Sequence, residues 1–424
     1  MKKLLTALLL LASTLSFAQQ YDVLDQIKAD PRKAWGMEGP HRFDAPALSP
    51  APKGYKPFYI SHYGRHGSRY AWNSKTYSLI REVLEAAHAQ QALTPLGEEF
   101  YTRFMDFYAM PLINTGDLVP LGWEQHQKIG AWVYDSFPAV FTKGKKVDAV
   151  VSTSARSIVS MSSFCLALKG KSPKLEFYQS STHEGMLIAA PTSAPKPLRR
   201  SFREDDLGGI ESVAHFNARF VDYDGILGRI FKDPGFPARF SGGRHDFLFQ
   251  CYALVSGYHN YEPRPLFDGL FTPEQMAMLW EADSYASYVT DLSARYGNIP
   301  LLEDVISKAE AAFQSPSQAA DLRFGHDYVA EAFLALINAN GCGTRVEKAT
   351  DAKYWFQSFN IPMATTILFV FYRNRKGDIL FKLVWNEAEA TLPQLTPVSG
   401  PYYRWTDFTA WAAGMMATHP EIKD

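Results

Sequence analysis

Cysteine is scarce in this chain: three in 424 residues, Cys165, Cys251 and Cys342, odd in number and far apart. That excludes a disulfide-built scaffold and a zinc module of paired cysteines, and leaves one disulfide or buried free thiols. An excess of charge is also missing. Lys plus Arg is 43 and Asp plus Glu is 44, for a net charge of −1, so there is no basic field of the kind nucleic-acid binding needs and no nucleic acid is expected as partner. Charge-driven recognition must be local. Beyond the first residues no long uncharged apolar run occurs, so no stable membrane insertion is expected. Internal repeats and low-complexity tracts are absent from the sequence as well.

The opening MKKLLTALLLLASTLSFAQQ has a basic start, an apolar run from Leu4 to about Leu15, and Ser16-Phe17-Ala18 as a small-x-small site. It reads as a secretory signal cleaved near Ala18. The run is shorter than the roughly 20 residues that span a bilayer, and no Cys follows Ala18 to carry a lipid. The mature chain is therefore expected in the periplasm or outside the cell.

Apolar mass is plentiful, at 46% hydrophobic and 14% aromatic, enough for a sizeable core in two or three lobes. After a Pro-rich stretch at 45–57, residues 58–62 read as a short buried strand, with helical patterns at about 74–91, 95–110 and 122–137. A second strand is expected at 147–152, followed by a helix capped by Ser152, Thr153 or Ser154 with Arg156 in its first turn, and a third strand at 175–178. Strand, helix, strand implies a crossover in a largely parallel sheet. Residues 180–314 read as aromatic-rich helical segments, including 245–256 and 273–296, and strands return at 365–372 and 379–385 around a hairpin signal. The expected class is α/β: a central, mostly parallel sheet flanked by helices, with a mainly helical cap inserted. The expected division is 1–18 signal, 19–179 and 315–424 α/β core, and 180–314 cap.

The densest chemistry lies in Phe58-Tyr-Ile-Ser-His-Tyr-Gly-Arg-His-Gly-Ser-Arg69. Arg65, His66 and Arg69 follow the first strand, at the edge where open α/β sheets bind ligands. Two planar guanidinium groups around a histidine suit a tetrahedral anion, with a nucleophile or base inside the pocket. Surface ion pairs and a packed histidine would explain any one of these residues taken singly. His62 and His66 have the four-residue spacing of zinc helices, but a strand does not put them on one helical face and two arginines repel a cation. No metal and no cofactor is expected. Arg156 adds a third cation at a helix N-terminus on the same edge. Arg323-Phe-Gly-His-Asp327 precedes an apolar helix; Asp327 suits an N-cap, and beside His326 it also suits an acid for a departing alkoxide.

Arg65-His66-Gly67-Ser68-Arg69 resembles the Arg-His-Gly-x-Arg signature of the histidine acid phosphatases, and Gly325-His326-Asp327 is similar to that family's distal His-Asp element. Val150 to Thr153 leading to Arg156 looks like its middle element, and residues 93–97 and 120–122 both resemble its Leu-Thr-x-x-Gly helix start. The resemblance runs in order over about residues 55–340. It implies a histidine phosphatase-like fold and hydrolysis of a small-molecule phosphomonoester, with His66 as the nucleophile forming a phosphohistidine. It also implies Arg65, Arg69, Arg156 and His326 as phosphate ligands and Asp327 as proton donor.

The Arg-His-Gly-Ser-Arg-Tyr form looks most like the multiple inositol polyphosphate phosphatases and phytases, which implies inositol polyphosphate substrates. Those phosphatases carry His-Ala-Glu at the distal element, whereas this chain has His326-Asp327-Tyr328, so a sugar-phosphate phosphatase, a broad acid phosphatase or a phosphotransferase is the alternative. A binding protein for a phosphorylated ligand needs neither nucleophile nor acid. Lys196, Arg199, Arg200 and Arg203 could meet outlying phosphates, although a solvated basic surface explains them too.

Overall fold

The computed structural model describes residues 23–422, and the expected signal at 1–18 lies outside them. The strands in chain order are β1 (Lys56–Arg65), β2 (Lys146–Val151), β3 (Glu176–Ser180), β4 (Ser201–Phe202), β5 (Gln318–Gly325), β6 (Thr366–Arg373), β7 (Ile379–Trp385), β8 (Ala388–Ala390), β9 (Tyr403–Arg404) and β10 (Glu421–Ile422). One sheet runs β3-β2-β5-β1-β6-β7-β8, with β9 on β7; β4 and β10 pair separately. From β3 to β1 all neighbours are parallel, with the helix Ala155–Lys171 linking β2 to β3. From β6 onward the C-terminal strands are antiparallel, so the parallel half carries an antiparallel extension that closes the core.

Alternation along each strand divides the interior in two. Tyr59 and Tyr63 of β1, Phe369 and Phe371 of β6, and Phe381 and Leu383 of β7 bury one face in a cluster shared with helical residues of 180–314 such as Phe216 and Tyr288. Their neighbours Ile60, Leu368, Val370, Leu380 and Val384 bury the other face with Ile129, Val133, Met161 and Phe164. Those four come from the helices Pro120–Ser136 and Ala155–Lys171. The helical patterns reappear as Lys75–Ala89, Pro95–Phe107, Gly243–Gly257 and Pro273–Ala294. Cys165, Cys251 and Cys342 are buried free thiols.

Two local expectations shift. β1 runs three residues past its expected end, so that Arg65 closes the strand. Ser154 occupies the N-cap of the helix Ala155–Lys171, but its side chain makes no capping bond. The central strand β5 lies outside the strands expected from the sequence, because Asp321 and Arg323 interrupt its apolar run. Both find partners inside the fold: Asp321 accepts from the Tyr59 hydroxyl at 2.8 Å, and Arg323 donates to Asp304 at 2.6 Å and to Ser61 at 2.9 Å.

Candidate active site

Because β2, β5 and β1 are adjacent and parallel, the segments that follow them leave the sheet at one edge. The register is tight: Arg65 lies opposite Gly325, and Val151 opposite Phe324. His66 and His326, each the next residue after that first pair, bring their ring centroids to 5.6 Å. His326 is the N-cap of the helix Asp327–Leu336, and Asp327 is its first residue. The cap position thus belongs to His326, while the Asp327 carboxylate accepts from Arg65 Nη2 at 2.6 Å and lies 3.9 Å from Arg69 Nη2.

His66 is buried, and its Nδ1 lies 3.0 Å from the Gly67 carbonyl. A carbonyl only accepts, so Nδ1 carries the hydrogen and Nε2 keeps its lone pair. Burial first, then Arg69, Arg65 and Arg156, hold the imidazole well below its ordinary pKa against the pull of Asp327. His326 Nε2 lies 3.0 Å from the Ser152 hydroxyl. Its pKa is lowered to about 4, mainly by burial, with Asp327 opposing and the three arginines reinforcing. Burial would raise the Asp327 carboxyl, but Arg65, His66 and Arg69 outweigh it and hold the group well below the usual carboxylate range. Burial and the neighbouring Arg69 push Arg156 down.

The loop between the arginines is pinned by its backbone. Gly67 N–H donates to Ser160 Oγ at 3.0 Å and Ser68 N–H to Gln125 Oε1 at 2.9 Å. A Cβ on Gly67 would meet the Gly122 carbonyl at 2.4 Å, so only glycine allows this approach. Of the two Leu-Thr-x-x-Gly-like stretches, it is therefore the one at 120–122 that touches the loop. Gly97 instead packs on the Ile230 carbonyl.

All six residues singled out, Arg65, His66, Arg69, Arg156, His326 and Asp327, share one electrostatic neighbourhood. The Nε atoms of Arg65, Arg69 and Arg156 are buried with no hydrogen-bond partner. Three guanidinium groups, each with a donor still to give, make this cluster chemically suited to an anion. His62 stands apart from it, packed against Phe164 and Phe324 with centroids at 5.1 and 4.7 Å.

The backbone matches the multiple inositol polyphosphate phosphatase of Bifidobacterium longum solved with inositol hexasulfate over 92% of this chain and 99% of that one, at a TM-score of 0.73 and 18% identity. The chain shares the fold of that phosphatase. The D. castellii phytase matches at 0.64 and 16% identity over 94% of this chain and 86% of its own. The Hafnia alvei phytase bound to myo-inositol hexakis sulphate matches at 0.56 and 12% identity, over 86% and 98%. No family model matches the chain, and no curated protein matches it by sequence.

Behind the arginines lies a second layer that carries no motif in the sequence. Met37 and Ile361 carbonyls accept from Arg65 Nη1 at 2.7 and 2.9 Å, and Glu38 accepts from both terminal nitrogens of Arg69 at 3.1 Å. Glu38 ends a 3₁₀ segment, Pro31–Glu38, which carries no periodic or motif signal that could have found it. Tyr328 stacks on His326 with centroids at 5.4 Å and donates to Ser193 Oγ at 2.7 Å. Arg200 is committed to Glu421 and Glu303, and Arg199 to the Thr192 carbonyl.

Proposed function

We propose that this chain hydrolyses phosphomonoesters through a phosphohistidine on His66, with inositol polyphosphates of the phytate kind as substrates. The observation that carries the reading is a buried histidine with a free Nε2 among three guanidinium groups whose Nε donors are unpartnered. The phosphoryl oxygens take those donors and His326. The Nε2 lone pair attacks phosphorus, the bond to the ester oxygen breaks, and Asp327 gives its proton to the departing alkoxide. Water then attacks the phosphohistidine, Asp327 takes a proton from it, and inorganic phosphate leaves with His66 restored.

In the free chain Asp327 is the ionised partner of Arg65. A bound phosphate neutralises Arg65 and Arg69, which lifts the Asp327 pKa so that the carboxyl can carry the proton it donates. Similarity in fold to an inositol polyphosphate phosphatase and to phytases supports the substrate class. Under the same reading, 180–314 is a cap that sets specificity over an α/β core, and a signal ending near Ala18 exports the chain. The run His326-Asp327-Tyr328 favours sugar phosphates as the second reading.

The test uses the purified chain in EDTA with phytate, glucose 1-phosphate and an aryl phosphate, followed by product analysis on phytate. Phytate is expected to be the preferred substrate, and His66→Ala is expected to lower turnover at least about a thousandfold. Undiminished turnover in that variant overturns the mechanism, and exclusive use of glucose 1-phosphate transfers the substrate assignment to the second reading.

A further inference from the structure

The two arginines of the signature are gripped from behind by a segment outside every motif. Met37 gives its carbonyl to Arg65, and Glu38 gives both carboxylate oxygens to Arg69: Nη1 to Oε2 and Nη2 to Oε1, each at 3.1 Å. A two-point pairing of this kind fixes a planar guanidinium in position and in roll, which a single bond does not. Nη1 also donates to the Tyr70 carbonyl at 3.1 Å. The head of Arg69 is thereby occupied, and its buried Nε is the nitrogen left without a partner.

Glu38 is itself held in place. Its carbonyl accepts from Asn260 Nδ2 at 2.7 Å, and Asn260 Oδ1 accepts from the Ser68 hydroxyl at 2.6 Å. One residue therefore ties the segment carrying Glu38 to the loop carrying Arg69. Two residues before Glu38 the backbone turns at Gly36 with φ 54° and ψ −134°, a conformation that favours glycine. A Cβ there would also meet Ser358 Oγ at 2.9 Å.

We propose that Glu38 is the positioning residue of Arg69, holding the guanidinium by its head so that the Nε edge is presented to the phosphoryl oxygens. This rests on reading the site as a phosphatase. Glu38 touches no reacting atom; it acts through Arg69. Charge spread over the phosphoryl oxygens makes the strongest demand on an aimed donor at the transition state, so loss of aim lowers kcat more than it raises KM.

The experiment compares Glu38→Gln with the wild-type chain on an aryl phosphate, with circular dichroism melting as the check on folding. Glu38→Gln keeps the size of the side chain and loses one acceptor. It is expected to lower kcat at least about tenfold while KM changes less, and Glu38→Asp, which keeps both oxygens, is expected to recover part of the loss. A double-mutant cycle with Arg69→Lys decides the route, because lysine has no fork to aim: in that background Glu38→Gln is expected to cost nothing further. Wild-type kcat in Glu38→Gln, or additive losses in the cycle, overturns the proposal. If Glu38→Gln loses its melting transition, the same cycle run with Glu38→Asp decides by the same criterion. A wild-type chain that hydrolyses no phosphomonoester overturns the phosphatase reading itself; an active wild type indifferent to Glu38 overturns this inference alone.

Discussion

His66 is pushed in one direction by burial and three guanidinium groups and in the other by Asp327, and the first set prevails. In the proposed mechanism the imidazole reacts when neutral, so a depressed pKa would keep it available as nucleophile into the acid range where an ordinary histidine is protonated. Arg156 contributes to that depression without touching the ring. Replacing it with glutamine removes a cation, makes the imidazolium less unfavourable and raises the His66 pKa. The acid limb of the kcat/KM profile of Arg156→Gln is therefore expected at higher pH than in the wild-type chain, over and above any loss of phosphate affinity. A pH–rate profile from pH 4 to 8 checks the direction, and a limb that stays fixed or moves to lower pH contradicts it.

The loop between Arg65 and Arg69 shows why some elements were readable and others were not. Arg65, His66 and Arg69 are close in sequence, follow an apolar run and are punctuated by Gly64 and Gly67, so strand, turn and chemistry could be inferred together. Arg156, His326 and Asp327 carry weaker local signals, a capped helix start or an N-cap position, and they join the candidate set only through their partnership with the first motif and the resemblance it carries. β5 was not readable, since its Asp321 and Arg323 look soluble until Tyr59, Ser61 and Asp304 arrive from elsewhere in the chain. Glu38 was invisible for the same reason, as its meaning lies wholly in Arg69. Packing sets a sharper limit on Gly67. A methyl group there must displace either the loop or the start of the helix Pro120–Ser136, at a cost of about 1–3 kcal/mol. Gly67→Ala is expected to lower the melting temperature and, by shifting His66, to reduce kcat/KM by up to about a hundredfold. Thermal unfolding and steady-state kinetics on the same preparation check both.

The molecule as a whole pays for its buried histidines in acid. His126 is fully buried, its Nε2 lies 3.1 Å from the Arg65 carbonyl, and burial above all lowers its pKa to about 3. The ordinary value is 6.5, so between those limits the unfolded chain binds a proton that the folded chain does not. Stability due to this residue is present above about pH 6.5 and is lost as pH falls towards 3. Between pH 7 and pH 4.5 the wild-type chain is expected to lose about 2–3 kcal/mol more than His126→Gln, in which this group is gone. Urea titrations of both proteins at the two pH values measure the change in the gap. An unchanged gap would mean that the ring is protonated in the folded state.

β5 lies between β1 and β2 in the sheet although it follows both in the chain, and the Arg65–Asp327 pair joins residues 262 positions apart. β1 and β2 come from the first half of the chain, and β5, far later in sequence, fills the place between them and brings the two histidines together. Loop-closure entropy makes such an insertion slow relative to local helix formation. If the chain acts as proposed, phosphate release depends on this long-range closure, and a chain cut before Gln318 would keep the Arg-His-Gly-Ser-Arg motif without β5, His326 or Asp327.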